Sequence, residues 1–359
     1  KPRWETYAVE WDASVLDSLN RLQYYHDAQW EVCDTRNTAR FSAIGFAFGR
    51  MLADSLQVPV GLILNAVGGS PTEAWIDRKT LEFEFPDILQ DWTKNDFIQD
   101  WVRERAALNI KQASNPLQRH PYEPCYLFEA GIQPLHRYPI KGIIWYQGES
   151  NAHNMEVHER LFPLLVNSWR QNWNADLPFY YVETVPFACE YKEDGYIGAL
   201  LREAQQKALS LIPNSGMIGT NDLVETYEAP QVHPHNKKGI GERLAYMSLN
   251  KTYGYQGIES EYPSYKSMKI NGETIEISFS HAEKGLSPWM NISGFEIAGS
   301  DKVFYPAEAS LNQKDHTVIV KSPTVKSPVA VRYCFRNFLK GNLINTRNLP
   351  VRPFRTDKW

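Results

Sequence analysis

The sequence has few cysteines, and no two of them are spaced for metal binding. Cys33, Cys125, Cys189 and Cys334 lie far apart in a chain of 359 residues. No Cys-x-x-Cys pair occurs, which argues against a zinc ribbon and against a thioredoxin-like redox site. One or two disulfides, formed in an oxidising compartment, and buried free thiols are both open interpretations of these four residues.

The sequence also lacks a long apolar run and a block of basic residues. No stretch approaches the roughly 18–20 apolar residues that a membrane-spanning helix needs. The 38 Lys and Arg residues are outnumbered by 42 Asp and Glu residues, giving a formal net charge of −4. We therefore expect neither a membrane nor a nucleic acid as partner.

The chain begins at Lys1 and shows neither an initiator methionine nor a signal peptide. Such a start is typical of a processed or recombinant product, or of a piece of a longer protein.

Aromatic residues are abundant by contrast, at 13% of the chain, including 11 Trp and 19 Tyr. One interpretation is a large aromatic core, because these side chains bury the most apolar area. The other is a sugar-binding cleft, because aromatic faces stack on the apolar faces of pyranose rings. The two interpretations are compatible.

Four apolar runs have the composition of parallel strands buried on both faces. They are Val58–Ala66, Ile140–Tyr146, Leu177–Val185 and Gly216–Thr220. Helical patterns lie between or beside them at Ser42–Leu56, Glu156–Trp173, Ile197–Leu211 and Asn236–Leu249. This alternation predicts an α/β fold with a doubly wound parallel sheet.

After about Tyr253 the pattern changes to short alternating segments. Asn271-Gly272 separates two strand-like runs in KINGETIEI, which is a strong hairpin signal. We therefore expect an α/β domain over residues 1–253 and a β-rich subdomain over residues 254–359.

Unusual residues follow the predicted strands, where ligands bind in open α/β sheets. After the first, Gly68-Gly69 offers backbone N–H groups that suit an anion or a developing oxyanion, although a tight turn needs the same residues. Ser70 is a conceivable nucleophile, but Thr72 stands where the last glycine of a G-x-S-x-G elbow belongs.

After the second strand, Gln147 and Glu149 alternate around Gly148, so their side chains project to one side of an extended segment. A carboxylate at the end of a buried strand is costly unless it is paired. A glutamate that orients a histidine, beside a glutamine that donates to an oxyanion, explains both residues. Two side chains that merely cap a loop would also explain them.

A third segment, Asp222–Ala245, carries His233 in a loop just before a helix. A histidine held by the following proline at such a junction suits a general base. His233 and His235 are also conceivable metal ligands, but no third ligand at helical spacing accompanies them.

Together these segments resemble the sialate O-acetylesterases, which are SGNH-type carbohydrate esterases related to acetyl xylan esterases. The motifs that carry the resemblance are GGSPTEAW at 68–75, WYQGESN at 145–151 and HPHNKKGIGERLA at 233–245. Other similar segments include FSAIGFAFGRML, LPFYYVE, LREAQQKAL, VRYCF and LPVRPFRTD. The resemblance covers about Trp30 to Lys358.

The resemblance implies hydrolysis of an acetyl ester by a Ser-His-acid mechanism without a cofactor or metal. It places the base at His233 and the oxyanion hole at Gly68 or Gly69 together with Gln147. SGNH enzymes commonly carry an aspartate three residues before the histidine, where this chain has Pro230. The acid is therefore assigned to Glu149, as in the acetyl xylan esterases.

Asp222 is the reserve choice for the acid. The candidate substrate contacts are Trp75, Tyr146 and Asn151, which belong to the motifs at 68–75 and 145–151. The implied substrate is an acetylated sugar, and the implied location is secreted or periplasmic, or lysosomal in a eukaryote.

The family's nucleophile lies in a G-Q-S-N motif on the first strand, and this chain contains no such motif. We therefore expect the α/β domain to lack its nucleophile segment, which a longer chain or an amino-terminal polypeptide partner would supply. The alternative is a non-catalytic carbohydrate-binding protein on a decayed esterase fold.

Overall fold

A computed structural model of the chain describes residues 1–188 and 195–359. It shows a mixed α/β fold with a parallel sheet and a β-rich carboxyl-terminal region, which confirms the predicted fold class. The described α-helices are α1 (Ala13–Asn20), α2 (Thr35–Thr38), α3 (Ala43–Leu56), α4 (Arg78–Glu84), α5 (Asp100–Asn109), α6 (Met155–Trp173), α7 (Ile197–Leu211) and α8 (Lys237–Lys251). The strands are β1 (Ile143–Trp145), β2 (Phe179–Val182), β3 (Ser215–Ile218), β4 (Ser264–Asn271), β5 (Thr274–Ser280), β6 (Leu286–Ser287), β7 (Phe295–Ala298), β8 (Phe304–Pro306), β9 (Glu308–Asn312), β10 (Thr317–Lys321), β11 (Ala330–Tyr333), β12 (Ile344–Asn345) and β13 (Phe354–Arg355).

Single helical turns connect several of these elements. They are Thr72–Trp75, Pro86–Leu89, Trp92–Lys94, Gln133–Leu135, Glu149–Asn151 and Thr226–Glu228 in 3₁₀ geometry, and Phe128–Ile132 in π geometry.

The parallel sheet has the strand order β1-β2-β3. Ile143 of β1 lies opposite Phe179 of β2. All four residues of β2 are buried, as expected of the middle strand. The predicted runs at 140–146, 177–185 and 216–220 are confirmed as strands, although each strand is shorter than its run.

The four predicted helices are confirmed as α3, α6, α7 and α8. Three of them begin at a side-chain cap that satisfies an otherwise orphan backbone N–H. Ser42 accepts from Gly45 at 3.1 Å, Asn154 from Val157 at 3.1 Å, and Asn236 from Gly239 at 2.9 Å.

The prediction of a strand at Val58–Ala66 is wrong. The segment is irregular, and its apolar side chains are exposed or half-buried, with Val58 at 52% and Ile63 at 44% exposure. Residues 58–66 pair with none of the described strands, and β1 is left at an edge of the sheet. An apolar run without a ladder partner cannot satisfy its backbone groups as a strand, which explains the irregular course.

The β-rich region contains two four-stranded sheets, ordered β4-β5-β10-β9 and β13-β11-β7-β8, and the two-stranded sheet β12-β6. The predicted hairpin is confirmed between β4 and β5, with Gly272 at a φ of +61° in the turn. One apolar core contains side chains from both four-stranded sheets, including Ile277, Val318 and Val331.

The chain divides into two compact units. Unit 1 comprises Lys1–Tyr181 and Ala204–Gly216, and unit 2 comprises Val182–Glu203 and Met217–Trp359. The division into domains 1–253 and 254–359 stays a prediction.

Three cysteines in the described part of the chain are free thiols, namely Cys33, Cys125 and Cys334, whereas Cys189 lies outside the described residues. Within residues 1–188 and 195–359, none of the helices combines the length and the apolar composition that crossing a bilayer requires.

Candidate active site

The two-glycine turn of unit 1 is held by its carbonyl groups. The Gly68 carbonyl accepts from the Tyr122 hydroxyl at 2.8 Å and from the Thr6 hydroxyl at 3.1 Å. Because the carbonyl and N–H of one trans peptide point in opposite directions, these bonds aim the Gly69 N–H to the other side of the turn. Gly69 has a φ of +72°, and a Cβ there would lie 2.5 Å from the Tyr122 hydroxyl oxygen, so only glycine fits.

Ser70 supports the same turn. Its hydroxyl donates to the Val67 carbonyl at 2.8 Å and accepts from the Trp75 indole N–H at 2.9 Å. The residue is only 3% exposed. In this arrangement the hydroxyl proton is engaged by a carbonyl, not by a base, so the serine is not activated as a nucleophile.

The segment after β1 folds back onto the glycine turn through the 3₁₀ turn Glu149–Asn151. The Ser150 hydroxyl donates to the Gly69 carbonyl at 3.0 Å. The Gln147 carbonyl accepts from the Gln205 side chain at 3.2 Å. Two motifs about 80 positions apart in the sequence are thereby joined into one site.

An amide network occupies the centre of this site. The Asn151 side-chain oxygen accepts from the Thr72 N–H, the Thr72 hydroxyl and the Gln147 amide, each at 2.9 Å. The Gln147 amide also donates to the Ser70 carbonyl at 3.2 Å, and its oxygen lies 2.9 Å from the Thr72 hydroxyl. Both amide hydrogens of Gln147 therefore have acceptors, and one must be released before Gln147 donates to an oxyanion.

Glu73 ends this network in the interior of unit 1. It is fully buried, and one carboxyl oxygen accepts from the Asn151 amide N–H at 2.9 Å, while the other has no hydrogen-bond partner. Burial raises the pKa of Glu73 to about 7, although the bond from Asn151 acts in the opposite direction. Its backbone carbonyl accepts from the Cys125 N–H at 2.9 Å, which fixes the turn that carries it.

The remaining unit 1 candidates differ in exposure. Glu149 is half-buried. The Tyr146 hydroxyl is buried without a partner, and burial, followed by the negative charge of Glu149, raises the pKa of Tyr146 well above its usual value. Trp75 is buried edge-on to Trp145, with ring centroids 5.8 Å apart.

His233, in unit 2, lies on an exposed loop before α8. Partial burial lowers the pKa of His233, and the positive charge of Lys237 lowers it further. Both effects favour the neutral imidazole at neutral pH. A neutral imidazole is the form that accepts a proton as a general base.

A second buried glutamate, Glu228, anchors this loop. One of its carboxyl oxygens accepts from the His235 N–H at 2.7 Å and lies 2.6 Å from Nδ1 of the His235 ring. The other accepts from the Glu225 N–H at 2.8 Å. Hydrogen bonds from the backbone of His235 and of Glu225, and then from the His235 ring, lower the pKa of Glu228.

Asp222, the reserve choice for the acid, also lies in unit 2, where it pairs with Arg243. Both of its carboxyl oxygens accept from Arg243, at 2.7 Å and 2.6 Å. Within the described residues, no group of three or more His, Cys, Asp or Glu side chains is arranged to hold a metal ion.

The structure thus brings Gly68, Gly69, Gln147 and Asn151 into one hydrogen-bonded site in unit 1. The catalytic and binding roles of the candidate residues stay predictions. Sequence reasoning missed Glu73, although a glutamate directly before the apolar run Ala74-Trp75-Ile76 is a usable signal for a buried carboxyl group. It also missed Glu228, for which no sequence signal is evident.

Comparison with known proteins agrees with these motifs. The sequence profile of one family, described as carbohydrate esterase, sialic acid-specific acetylesterase, matches residues 12–250. The sialate O-acetylesterase of Rattus norvegicus is 28% identical over an alignment of 261 positions, and the match covers 65% of this chain and 47% of that protein. The sialate O-acetylesterase of Mus musculus is 26% identical over an alignment of 326 positions, and the match covers 83% of this chain and 59% of that protein.

The chain therefore spans about half the length of the curated relatives it matches. Among solved structures, a carbohydrate acetylesterase from Xanthomonas citri matches with a TM-score of 0.76 and 30% identity. The match covers 94% of this chain and 70% of that one.

Proposed function

Because the chain belongs to the carbohydrate esterase family of sialic acid-specific acetylesterases, with residues 12–250 matching that family, we propose that it forms the larger part of a carbohydrate O-acetylesterase. The observation that carries the proposal is the joining of the glycine turn to the Gln147–Asn151 segment through the bond between Ser150 and Gly69. Backbone N–H groups and an amide at one strand end suit the stabilisation of an acyl-transfer oxyanion.

In the proposed reaction a serine oxygen bonds to the acetyl carbon, and His233 takes the serine proton. The bond from the acetyl carbon to the sugar oxygen breaks, and His233 returns the proton to the departing sugar hydroxyl. Water then attacks the acetyl-enzyme with His233 again as base, which releases acetate and restores the serine. Gly69 and Gln147 would bind the oxyanion in both steps, and Glu149 would orient His233.

The nucleophile is proposed to come from a segment beyond this chain. Ser70 is committed to the Val67 carbonyl and the Trp75 indole, and the G-Q-S-N motif is absent. The edge position of β1 and the exposed apolar residues at 58–66 suit an added strand, which would pair the edge and cover the apolar side chains. This segment would precede Lys1 in a longer chain or belong to a separate polypeptide.

The proposed substrate is an acetylated sugar such as an O-acetylated sialic acid or an acetylated plant or host glycan. We place the enzyme outside the cytoplasm, in a secreted, periplasmic or lysosomal setting. Fractionation of the natural source with a cytoplasmic marker tests this location, and recovery with the cytoplasmic marker would refute it.

The deciding experiment is labelling of the natural protein with a serine-directed organophosphonate, followed by peptide mass spectrometry. We expect stoichiometric labelling of a serine in a segment outside residues 1–359, together with loss of acetyl ester hydrolysis. The matched samples are residues 1–359 alone and the natural protein treated with a chelator. We expect the first to be inactive and the second to keep full activity.

Two results would overturn the proposal in different ways. Robust activity of residues 1–359, lost when one of its own serines is labelled, would place the nucleophile inside this chain, and Ser70→Ala would be the first variant to test. Binding of acetylated sugars without any hydrolysis by the natural protein would favour the non-catalytic carbohydrate-binding alternative.

A further inference from the structure

The proposed reaction assigns no role to Glu73, although its carboxyl group is buried beside the glycine turn. It lies in the single helical turn Thr72–Trp75, between the glycine turn and α4. One of its oxygens is bonded to Asn151, and the other is buried without a partner. An isolated carboxyl group of this kind is costly to bury, so its presence calls for a specific use.

The contact with Asn151 has a directional consequence. A side-chain amide has an accepting end and a donating end, and the accepting end of Asn151 collects three donors from Thr72 and Gln147. Its donating end then needs an acceptor on the opposite side, and Glu73 supplies one at 2.9 Å. Rotation of the amide by half a turn would set two NH₂ groups against each other and leave Glu73 facing an oxygen.

We propose that Glu73 is a positioning residue: it fixes the orientation of the Asn151 amide and, through Asn151, holds Gln147 and Thr72 at the oxyanion site. The catalytic part of this proposal rests on the proposed esterase function. The orientation of Asn151 does not, because it is a property of the chain without substrate.

The charge state of Glu73 adds a measurable signature. Burial raises the pKa of Glu73 to about 7, so the carboxyl group ionises within the ordinary working range of pH. Ionised, it is the stronger acceptor, and the bond from Asn151 becomes charge-assisted. The donating amide protons of Asn151 should therefore report the ionisation of Glu73.

Neighbouring titratable groups can be separated from this signature. The segments that contact the turn carry Cys125, Glu129 and His158, and α6 also carries Glu156, Glu159, Arg160 and Arg170; Glu149 lies two residues before Asn151 in the same turn. Burial raises the pKa of the Cys125 thiol far above neutrality and lowers the pKa of His158 to about 4, so both are neutral near pH 7. Glu129 is bonded to Arg78 at 2.9 Å and to Arg119 at 2.6 Å.

Two variants of Glu73 divide the proposal into its parts. Glu73→Gln keeps an oxygen for Asn151 but cannot ionise. Glu73→Met keeps a similar volume and removes the acceptor. The control is Glu159→Gln, which removes a carboxylate from α6 in the same unit, where Glu159 pairs with the surface residue Lys207 at 2.7 Å.

The test uses the natural full-length protein labelled with nitrogen-15 at asparagine, with the Asn151 amide resonance assigned by its loss in Asn151→Asp. In the wild type and in Glu159→Gln we expect this resonance to shift with a midpoint near pH 7. In Glu73→Gln it should keep its position at low pH and no longer titrate. In Glu73→Met it should move at every pH.

Measurements of ester hydrolysis distinguish a positioning role of Glu73 from a general structural role. Glu73→Met should lower kcat for an acetyl ester by about a hundredfold with KM changed less than about threefold, because a misplaced oxyanion donor acts in the transition state. Glu73→Gln should recover most of that loss and remove any step in kcat near pH 7. Glu159→Gln should match the wild type.

The outcomes are distinguishable. An Asn151 resonance that does not titrate near pH 7, or that is unchanged in Glu73→Met, would overturn the positioning role whatever the activity. If Glu73→Gln and Glu73→Met changed the Asn151 resonance and kcat to the same extent, Glu73 would have only a packing role. A titrating Asn151 in a protein without esterase activity would refute the proposed function and leave the positional assignment standing.

Discussion

Two buried glutamates in this chain have opposite electrostatic environments. Glu73, beside the glycine turn, receives one side-chain hydrogen bond, and the pKa of its carboxyl group is raised to about 7. Glu228, beside the His233 loop, lies within hydrogen-bonding distance of three donor nitrogens, and the pKa of its carboxyl group is lowered. Both residues are at most 2% exposed, but burial is the main influence on the pKa of Glu73 and only a secondary influence on the pKa of Glu228.

The difference shows how burial and the supply of hydrogen-bond donors together set the pKa of a carboxyl group in this chain. Desolvation disfavours the anion at both sites, but backbone N–H groups aimed at Glu228 outweigh it. The lowered pKa of Glu228 favours its anionic form, which accepts bonds from the loop, whereas the raised pKa of Glu73 favours its protonated form beside the Asn151 amide. The predictions below test this contrast, first through the functional residues that each glutamate supports and then through the glutamates themselves.

The largest effect is expected at the loop that Glu228 anchors. His233→Ala in the complete enzyme should lower kcat by about a thousandfold or more, since the proposed general base is lost, with little change in stability. Steady-state hydrolysis of an acetyl ester measures it. His235→Ala is the matched control on the same loop and should cost about tenfold or less. Near-normal turnover by His233→Ala would exclude His233 as the base.

The next effect concerns Glu149, the proposed acid of the catalytic triad. Glu149→Gln should lower kcat by several hundredfold, with KM almost unchanged, because a neutral amide cannot stabilise the imidazolium. Asp222→Asn should have the smaller kinetic effect, since both oxygens of Asp222 are bonded to Arg243. If Asp222→Asn proves the more damaging change in kcat, the assignment of the acid is wrong.

Because of Glu73, the free energy of unfolding should decrease as pH rises. Its pKa is about 7 in the folded chain and about 4.3 in the unfolded chain, so the folded state binds the proton more tightly. This contribution is fully present below about pH 4.3 and is lost as pH rises through about 7. Glu73→Gln should therefore gain on the order of 2–3 kcal/mol relative to the wild type between pH 5 and pH 8. Chemical denaturation at both pH values measures it, and a constant difference would contradict the raised pKa.

The smallest effect is expected for Glu228, whose contribution to the free energy of unfolding should depend on pH in the opposite direction. Its lowered pKa means that its stabilisation is present above the unfolded pKa of about 4.3 and is lost as pH falls through the lower folded value. Glu228→Gln should destabilise by about 1–2 kcal/mol at pH 7, since charge-assisted bonds to the loop are weakened. Thermal melts from pH 7 to pH 3 should show this deficit shrinking. A deficit that grows on acidification would refute the lowered pKa.

Local sequence patterns predicted most of the regular structure. The caps and apolar periodicity of α3, α6, α7 and α8, and the Asn-Gly turn of the β4-β5 hairpin, act over a few residues. The same kind of pattern gave a wrong strand at Val58–Ala66. A strand requires a neighbour, and that neighbour is not a property of the run itself.

The site shows the same limit. The motifs at Gly68–Trp75 and Gln147–Asn151 were recognisable in the sequence as material for an oxyanion hole. Their mutual bonds were not, because Asn151 and Glu73 are 78 positions apart and meet only through the fold. The engagement of Ser70 with Val67 and Trp75 likewise had no sequence signal.

The sequence by itself determined the family, the α/β and β-rich composition of the two parts, and the segments that carry candidate chemistry. These follow from short motifs and from periodicity along the chain. Only the tertiary structure decided which carboxyl groups have raised or lowered pKa values, which amide ends face each other, and that the apolar run at 58–66 has no strand partner among the described residues. The physical reason is that desolvation and hydrogen-bond supply depend on neighbours brought from distant positions, and those neighbours exist only once the chain is folded.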